Sequence, residues 1–267
     1  MNISILLTSR KSLALFLATI AFIITIANYL GQNYAEMASN FLNLAITTPL
    51  VAICVFLLVK EGIRGDFGKG WTCFVVFVIL WYVAERIWMI YEMIYLKDPW
   101  PSEADFFWLA GYPFYIVFAI FYLRPFKNKI SPKLITSSIG ITLVISGFLT
   151  YQILSEADIF EFEAFLGLAY PLADTISLAP IIIGMVLFFR GQVNFLLSCL
   201  LIGMLCFVVA DYGFLVFSLD ETYYTGHPID IPYLWAYLLF VFGAYNRSKL
   251  FTKPNDQNRF NFQEKFR

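Results

Sequence analysis

Charge is scarce in this sequence. Asp, Glu, Lys and Arg supply 14% of its 267 residues, against about a quarter in an ordinary soluble domain. Hydrophobic residues supply 60% and the mean hydropathy is +0.73, so a water-soluble fold would leave apolar surface that its polar groups could not cover. Histidine is nearly missing: His227 stands alone, which excludes a three-histidine zinc site and a bis-histidine haem. Lysine is absent from the middle of every apolar run, which excludes a retinal Schiff base. Cys54, Cys73, Cys199 and Cys206 form no C-x-x-C pair and lie within apolar runs; they read as small buried hydrophobes. A formal net charge of −1 gives no bulk attraction to nucleic acid. No cofactor and no metal is expected.

Long apolar runs are what the chain does have. A bilayer core of about 30 Å takes about 20 apolar residues in a helix. The qualifying runs are 13–30, 41–59, 71–95, 104–123, 134–154, 162–189, 193–218 and 229–246. Heavy aromatic content, with 29 Phe, 16 Tyr and 6 Trp, suits rings packed against lipid and its interfaces. The expected fold is an all-α polytopic membrane protein with eight transmembrane helices, a single domain over 1–247 with a basic tail at 248–267. Pro171 and Pro180 predict a kink or local unwinding in the sixth span. Arg10 and Lys11 before the first apolar stretch are compatible with a cleaved signal peptide, but the run is long for one.

Basic residues set the orientation. With the N-terminus cytoplasmic, the inner segments hold Arg10, Lys11, Lys60, Arg64, Lys69, Arg124, Lys127, Lys129, Lys133, Arg190, Arg247, Lys249, Lys253, Arg259, Lys265 and Arg267, 16 of the 18 Lys and Arg. The outer loops keep only Lys97 and carry acids instead: Glu36, Asp98, Glu103, Glu156, Asp158, Glu161, Glu163, Asp220 and Glu221. Both termini are thus expected in the cytoplasm, and the localisation is the cell membrane, multi-pass.

The second half of the chain echoes the first. Ala84-Glu85 is matched by Ala210-Asp211, and Asp105, Trp108, Leu109 and Tyr112 are matched by Asp230, Tyr233, Leu234 and Tyr237 at identical spacing. Asn43 and Pro49 are echoed by Asp174 and Pro180. Two parallel four-helix repeats, about 13–124 and 134–247, follow from these matches. Sites in such proteins form where the halves meet.

Intramembrane charge marks the candidate site. At 1.5 Å rise per residue, Glu85 lies about 21 Å up its span, Asp211 about 27 Å up, and Asp174 about 18 Å below the outer start of its own. Asp105 and Asp230 open their helices at the outer face. An ionised side chain at mid-bilayer costs at least about 2.5–3.5 kcal/mol, so such residues face the bundle interior and pair or bind something. Trp81, Glu85, Trp88 and Glu92 share one helical stripe; Tyr112 shares a face with Asp105, Tyr237 with Asp230, and Tyr170 lies one turn from Asp174. Glu85, Asp105, Tyr112, Tyr170, Asp174, Asp211, Asp230 and Tyr237 are the predicted binding residues, around an outward-facing acidic and aromatic cavity that takes a proton or a small cation. Bland readings stand beside this one. Ser102 with Asp105 forms a capping-box pattern, and Asp230 after His227-Pro228 can cap in the same way. Arg86 is expected to neutralise an acid in a buried structural ion pair, and Glu92, near the interface, to be solvated.

The stretch Pro101-Ser102-Glu103-Ala104-Asp105-Phe106-Phe107-Trp108-Leu109-Ala110-Gly111-Tyr112-Pro113 resembles a P-S-x-A-D-x-x-x-L-x-x-Y-P segment in the multi-span N-terminal sensor region of bacterial diguanylate cyclases and phosphodiesterases. Ala169-Tyr170-Pro171-Leu172-Ala173-Asp174 is similar to that region's A-Y-P-x-x-D, and Ala210-Asp211-Tyr212, with Tyr224, Gly226 and Asp230, to its closing pattern. The resemblance covers roughly 70–246. It implies a membrane sensory module in which Asp105, Asp174, Asp211 and Asp230 are the positions to watch. About 20 residues follow Arg247, too few for a catalytic output domain, so signalling through a cytoplasmic or membrane partner is expected. The alternative is a secondary transporter or channel that uses the carboxyls for proton or cation coupling. An enzyme is not expected: the Y-D and G-x-G-D motifs of aspartyl intramembrane proteases and the G-x-S-x-G of serine hydrolases are missing.

Overall fold

In a computed structural model of the chain, residues 10–156, 162–189, 195–219 and 222–249 are described. They are helical throughout apart from short connections, with no strand among them. Eight α-helices follow in chain order: α1 (Arg10–Leu30), α2 (Gln32–Glu61), α3 (Gly65–Ile90), α4 (Glu103–Leu123), α5 (Pro132–Glu156), α6 (Phe162–Phe189), α7 (Phe195–Leu219) and α8 (Asp230–Lys249). A π-turn, Tyr91–Tyr95, extends α3, and a 3-10 turn, Arg124–Lys129, extends α4.

Each apolar run of the sequence coincides with one helix, but the helix ends differ. α2 begins at Gln32 and α3 at Gly65, well before their apolar runs at 41 and 71. The backbone ladder continues past the point where lipid demands apolar side chains. α6 is unbroken through Pro171 and Pro180, so the expected unwinding does not occur. Each proline removes one ladder bond, and the helix continues past both, as membrane helices commonly allow.

Among the described residues, five helices are long and apolar enough to cross a membrane: α1, α2, α3 with its π-turn, α4 with its 3-10 turn, and α7. Shorter apolar stretches lie within α5 (Pro132–Phe148) and α6 (Leu172–Leu187). α8 opens with Asp230 and closes with Asn246, Arg247 and Ser248, yet from Leu234 to Ala244 nearly every side chain is buried. Protein rather than lipid surrounds it.

Consecutive helices pack together from α1 to α4 and again from α5 to α8. The tightest pairs are α3 with α4 and α7 with α8. Glycine permits both: a Cβ on Gly111 would meet the Trp81 ring at 2.4 Å, and one on Gly203 the Phe240 ring at 2.5 Å. Two crossed contacts, α2 with α8 and α4 with α6, join the halves, and α1 also touches α8. Between them lies an aromatic core of Phe74, Phe77, Trp81, Tyr115, Phe118, Phe207 and Phe240. Trp81 and Phe207 meet edge to face at its centre, 4.6 Å between centroids.

At the α2 and α8 C-termini, Arg247 grips Glu61 through Nε at 2.7 Å and Nη2 at 3.0 Å. The guanidinium also covers the Phe67 ring at 4.8 Å. This two-point pair is shielded, with 20% and 9% of the side chains exposed. Arg124 and Asp66 form the other described ion pair, at 3.0 Å and in the open.

Candidate functional site

α2 brings Asn43 and α3 brings Glu85 to one level. The Asn43 amide donates to Glu85 Oε2 at 2.8 Å, and the Tyr237 hydroxyl of α8 donates to Oε1 at 2.7 Å. Asn43 is fixed from below, because its backbone carbonyl accepts from Thr47 Oγ1 at 2.7 Å. Arg86 donates through Nη2 to Asn43 Oδ1 and lies over the Tyr82 ring at 5.1 Å. Its charge therefore reaches Glu85 through the Asn43 amide; no direct Arg86–carboxylate ion pair occurs among the described residues.

A second station is built from α6 and α7. Asp174, 3% exposed, and Asp211 meet at one hydroxyl. Tyr112 of α4 bridges them, its hydroxyl 2.7 Å from Asp174 Oδ1 and 3.1 Å from Asp211 Oδ2. Tyr233 of α8 donates to Asp211 Oδ1.

Above these stations, Asp105 and Asp230 do two things at once. Asp105 Oδ2 accepts from Ser102 N at 2.7 Å, and Ser102 Oγ accepts from Ala104 N at 3.2 Å, so α4 opens on a capping box. The other oxygen of Asp105 accepts from Tyr170 of α6 at 2.7 Å. Asp230 Oδ2 accepts from Gly226 N at 2.7 Å, and Tyr223 donates to its Oδ1 at 3.1 Å. Burial, with the Asp230 carboxylate alongside, pushes the Tyr223 phenol well above its ordinary value and keeps it a donor.

All eight sequence-predicted residues thus enter hydrogen-bonded clusters: Glu85 with Tyr237; Asp174 and Asp211 with Tyr112; Asp105 with Tyr170; and Asp230 at the loop before α8. Glu92 departs from its expected solvation. Its carboxylate accepts from Asn40 Nδ2 at 2.7 Å, from Trp88 Nε1 at 2.8 Å and from Thr225.

Thr225 belongs to the 222–229 loop, which ties the upper ends of α1, α2, α3 and α8. Asn28 of α1 donates to Gly226 O at 2.7 Å and accepts from Tyr224 at 2.5 Å. Gly226, at φ +87°, sits on the Ala35 backbone of α2. Asn28, Asn40, Asn43, Tyr223 and Thr225 are neighbours of the candidate site outside the eight predicted binding residues. A signal exists for two of them: Asn40 and Asn43 share one face of an apolar run.

Several expected outer acids (Asp158, Glu161, Asp220, Glu221) and the bases Arg190 and those beyond Lys249 lie outside the described residues. Among the described residues, no three His, Cys, Asp or Glu side chains gather to hold a metal. Comparison with protein-family models, with curated proteins and with solved structures finds no match.

Proposed function

We propose that the chain is a multi-pass cell-membrane sensory module. Eight transmembrane helices form two parallel four-helix repeats with cytoplasmic termini, and an outward-side set of carboxyls binds positive charge. The change is passed along α6 and α8 to a separate signalling partner.

One observation carries this reading. In each half, the tyrosine of the fourth helix donates into the carboxyl station of the other half: Tyr112 of α4 into Asp174 and Asp211, and Tyr237 of α8 into Glu85. A change of charge at either station therefore acts on the contact between halves, which is where a two-state bundle would respond.

The packing supports the duplication behind it. Advancing each helix number by four turns α1–α2, α2–α3 and α3–α4 into α5–α6, α6–α7 and α7–α8, and exchanges α2–α8 with α4–α6. The one-sided distribution of Lys and Arg supports the orientation, and the resemblance to a bacterial sensor region supports the role.

The test is thermal stability of the purified protein in bilayer discs, with pH, alkali cations and small amines varied. Stabilisation by one of these is expected, and Asp174→Ala and Asp211→Ala should abolish it. Unchanged shifts in both variants would refute the placement.

A transporter is the second reading. It is favoured by Tyr115, a fully buried hydroxyl one turn below Tyr112 with no hydrogen-bond partner among the described residues, which extends polar groups toward the cytoplasmic half. It requires proteoliposome flux that Asp174→Asn removes.

A further inference from the structure

The two stations are built alike and charged differently. Asn43 corresponds to Asp174, Glu85 to Asp211, Tyr237 to Tyr112, and Arg86 to Tyr212. In the first station the charges close. One carboxyl, Glu85, faces an amide, a phenol and the Arg86 guanidinium, which is held on that amide. Glu92 on the same helix and Asp230 on α8 lie farther along, each satisfied by its own donors.

In the second station they do not close. Asp174 from α6 and Asp211 from α7 share the hydroxyl of Tyr112 from α4, and the other titratable groups that face them are phenols too: Tyr170 from α6, and Tyr233 and Tyr237 from α8. Among the described residues no Lys or Arg stands with them. An uncompensated charge in low dielectric is expensive enough that the group takes up a proton or a counter-ion instead. The substitution of one residue type, amide for carboxyl, and the gain of one guanidinium separate the two cases.

We infer that the two stations have taken different roles. Arg86 is the built-in counter-charge that closes the Asn43–Glu85–Tyr237 station, and the Asp174–Asp211 pair is the station that takes up and releases a proton from outside. This rests on the sensory reading above and names its ligand and its seat. Arg86 acts through Asn43 and is a positioning residue.

Infrared spectroscopy of the full chain in bilayer discs reads this directly, because a protonated buried carboxyl has a carbonyl band that a carboxylate lacks. Across a pH titration the native protein should show such a band. Asp174→Asn or Asp211→Asn alone should shift its midpoint, the two together should remove it, and Glu85→Gln should leave it. Arg86→Gln should create a second titrating band that the added Glu85→Gln removes, whereas Arg86→Lys, which keeps the charge, should create none. Asn43→Asp, two carboxyls against one cation, should also gain a band.

The inference is overturned by absence of any band in the native protein, by its survival in the double aspartate variant, or by its loss in Glu85→Gln. Loss of the band on adding Na⁺ at constant pH would make the ligand a metal cation and overturn the assignment to a proton. A band that behaves as expected, with thermal shifts unmoved by Asp174→Ala and Asp211→Ala, would instead refute the sensory reading and leave the proton site standing.

Discussion

Tyr112 on α4 and Asp174 on α6 are joined by a 2.7 Å hydrogen bond across 62 positions of sequence, and the same hydroxyl reaches Asp211. One turn away on the same helix, Tyr115 is equally buried and its hydroxyl has no partner among the described residues. The same substitution should therefore have opposite effects at the two sites. Tyr112→Phe leaves buried acceptors unsatisfied, at about 1–3 kcal/mol. Tyr115→Phe removes an orphan hydroxyl and should be neutral or stabilising. Denaturant unfolding of the two variants in mixed micelles checks this, and equal losses would contradict it.

The Arg247–Glu61 pair is shielded and two-pointed, whereas Arg124–Asp66 is open. Glu61→Gln removes the negative charge opposite a shielded guanidinium and should cost about 3 kcal/mol. Asp66→Asn should cost within about 1 kcal/mol. The same measurement separates them, and added salt should weaken only the exposed pair.

Gly226 has φ +87°, and a Cβ there would lie 2.3 Å from the Ala35 carbonyl. The left-handed backbone alone costs an alanine roughly 1–2 kcal/mol, and the clash falls on backbone that cannot swing aside. Gly226→Ala should open the 222–229 loop. Gly140, with nothing near its would-be Cβ, should accept alanine with a gain of about 0.4–1 kcal/mol. Proteolytic nicking or hydrogen exchange at the loop distinguishes the variants.

Acid should loosen the same loop through His227. Burial lowers the imidazole from its ordinary value, and Nδ1 accepts from Ile229 N at 3.2 Å, which a proton on Nδ1 would prevent. The unfolded chain then binds the proton more readily than the folded one. Stability from this group is complete above the unfolded value of about 6.5 and falls as pH drops below it. His227→Gln should flatten that limb of the melting-temperature profile. A native slope unchanged in the variant would assign it to other groups.

The eight helices are legible in the sequence because each coincides with an apolar run of about the length that a membrane crossing would take. Their ends are not, since Gln32–Phe41 and Gly65–Trp71 continue a backbone ladder with polar side chains outside that demand. The acids stand out as rare charges in apolar surroundings. Their partners do not, because Tyr237 and Glu85 are 152 positions apart and only packing brings them together. Arg86 is visible as a charge embedded in a span, but its route to Glu85 runs through an asparagine whose amide carries no charge to notice. Glu92 looks solvated by its place in the chain; the loop that covers it arrives from Thr225.

Trp81 and Phe207 meet edge to face at 4.6 Å, and they hold matching places four residues before Glu85 and Asp211. A position facing its own counterpart is what two separate chains present at a two-fold axis. The bundle should accordingly assemble from pieces. A chain cut between Lys129 and Pro132, with both fragments made in one membrane, would rejoin through the α2–α8 and α4–α6 contacts. Neither fragment alone could cover those rings, so each without the other should be degraded.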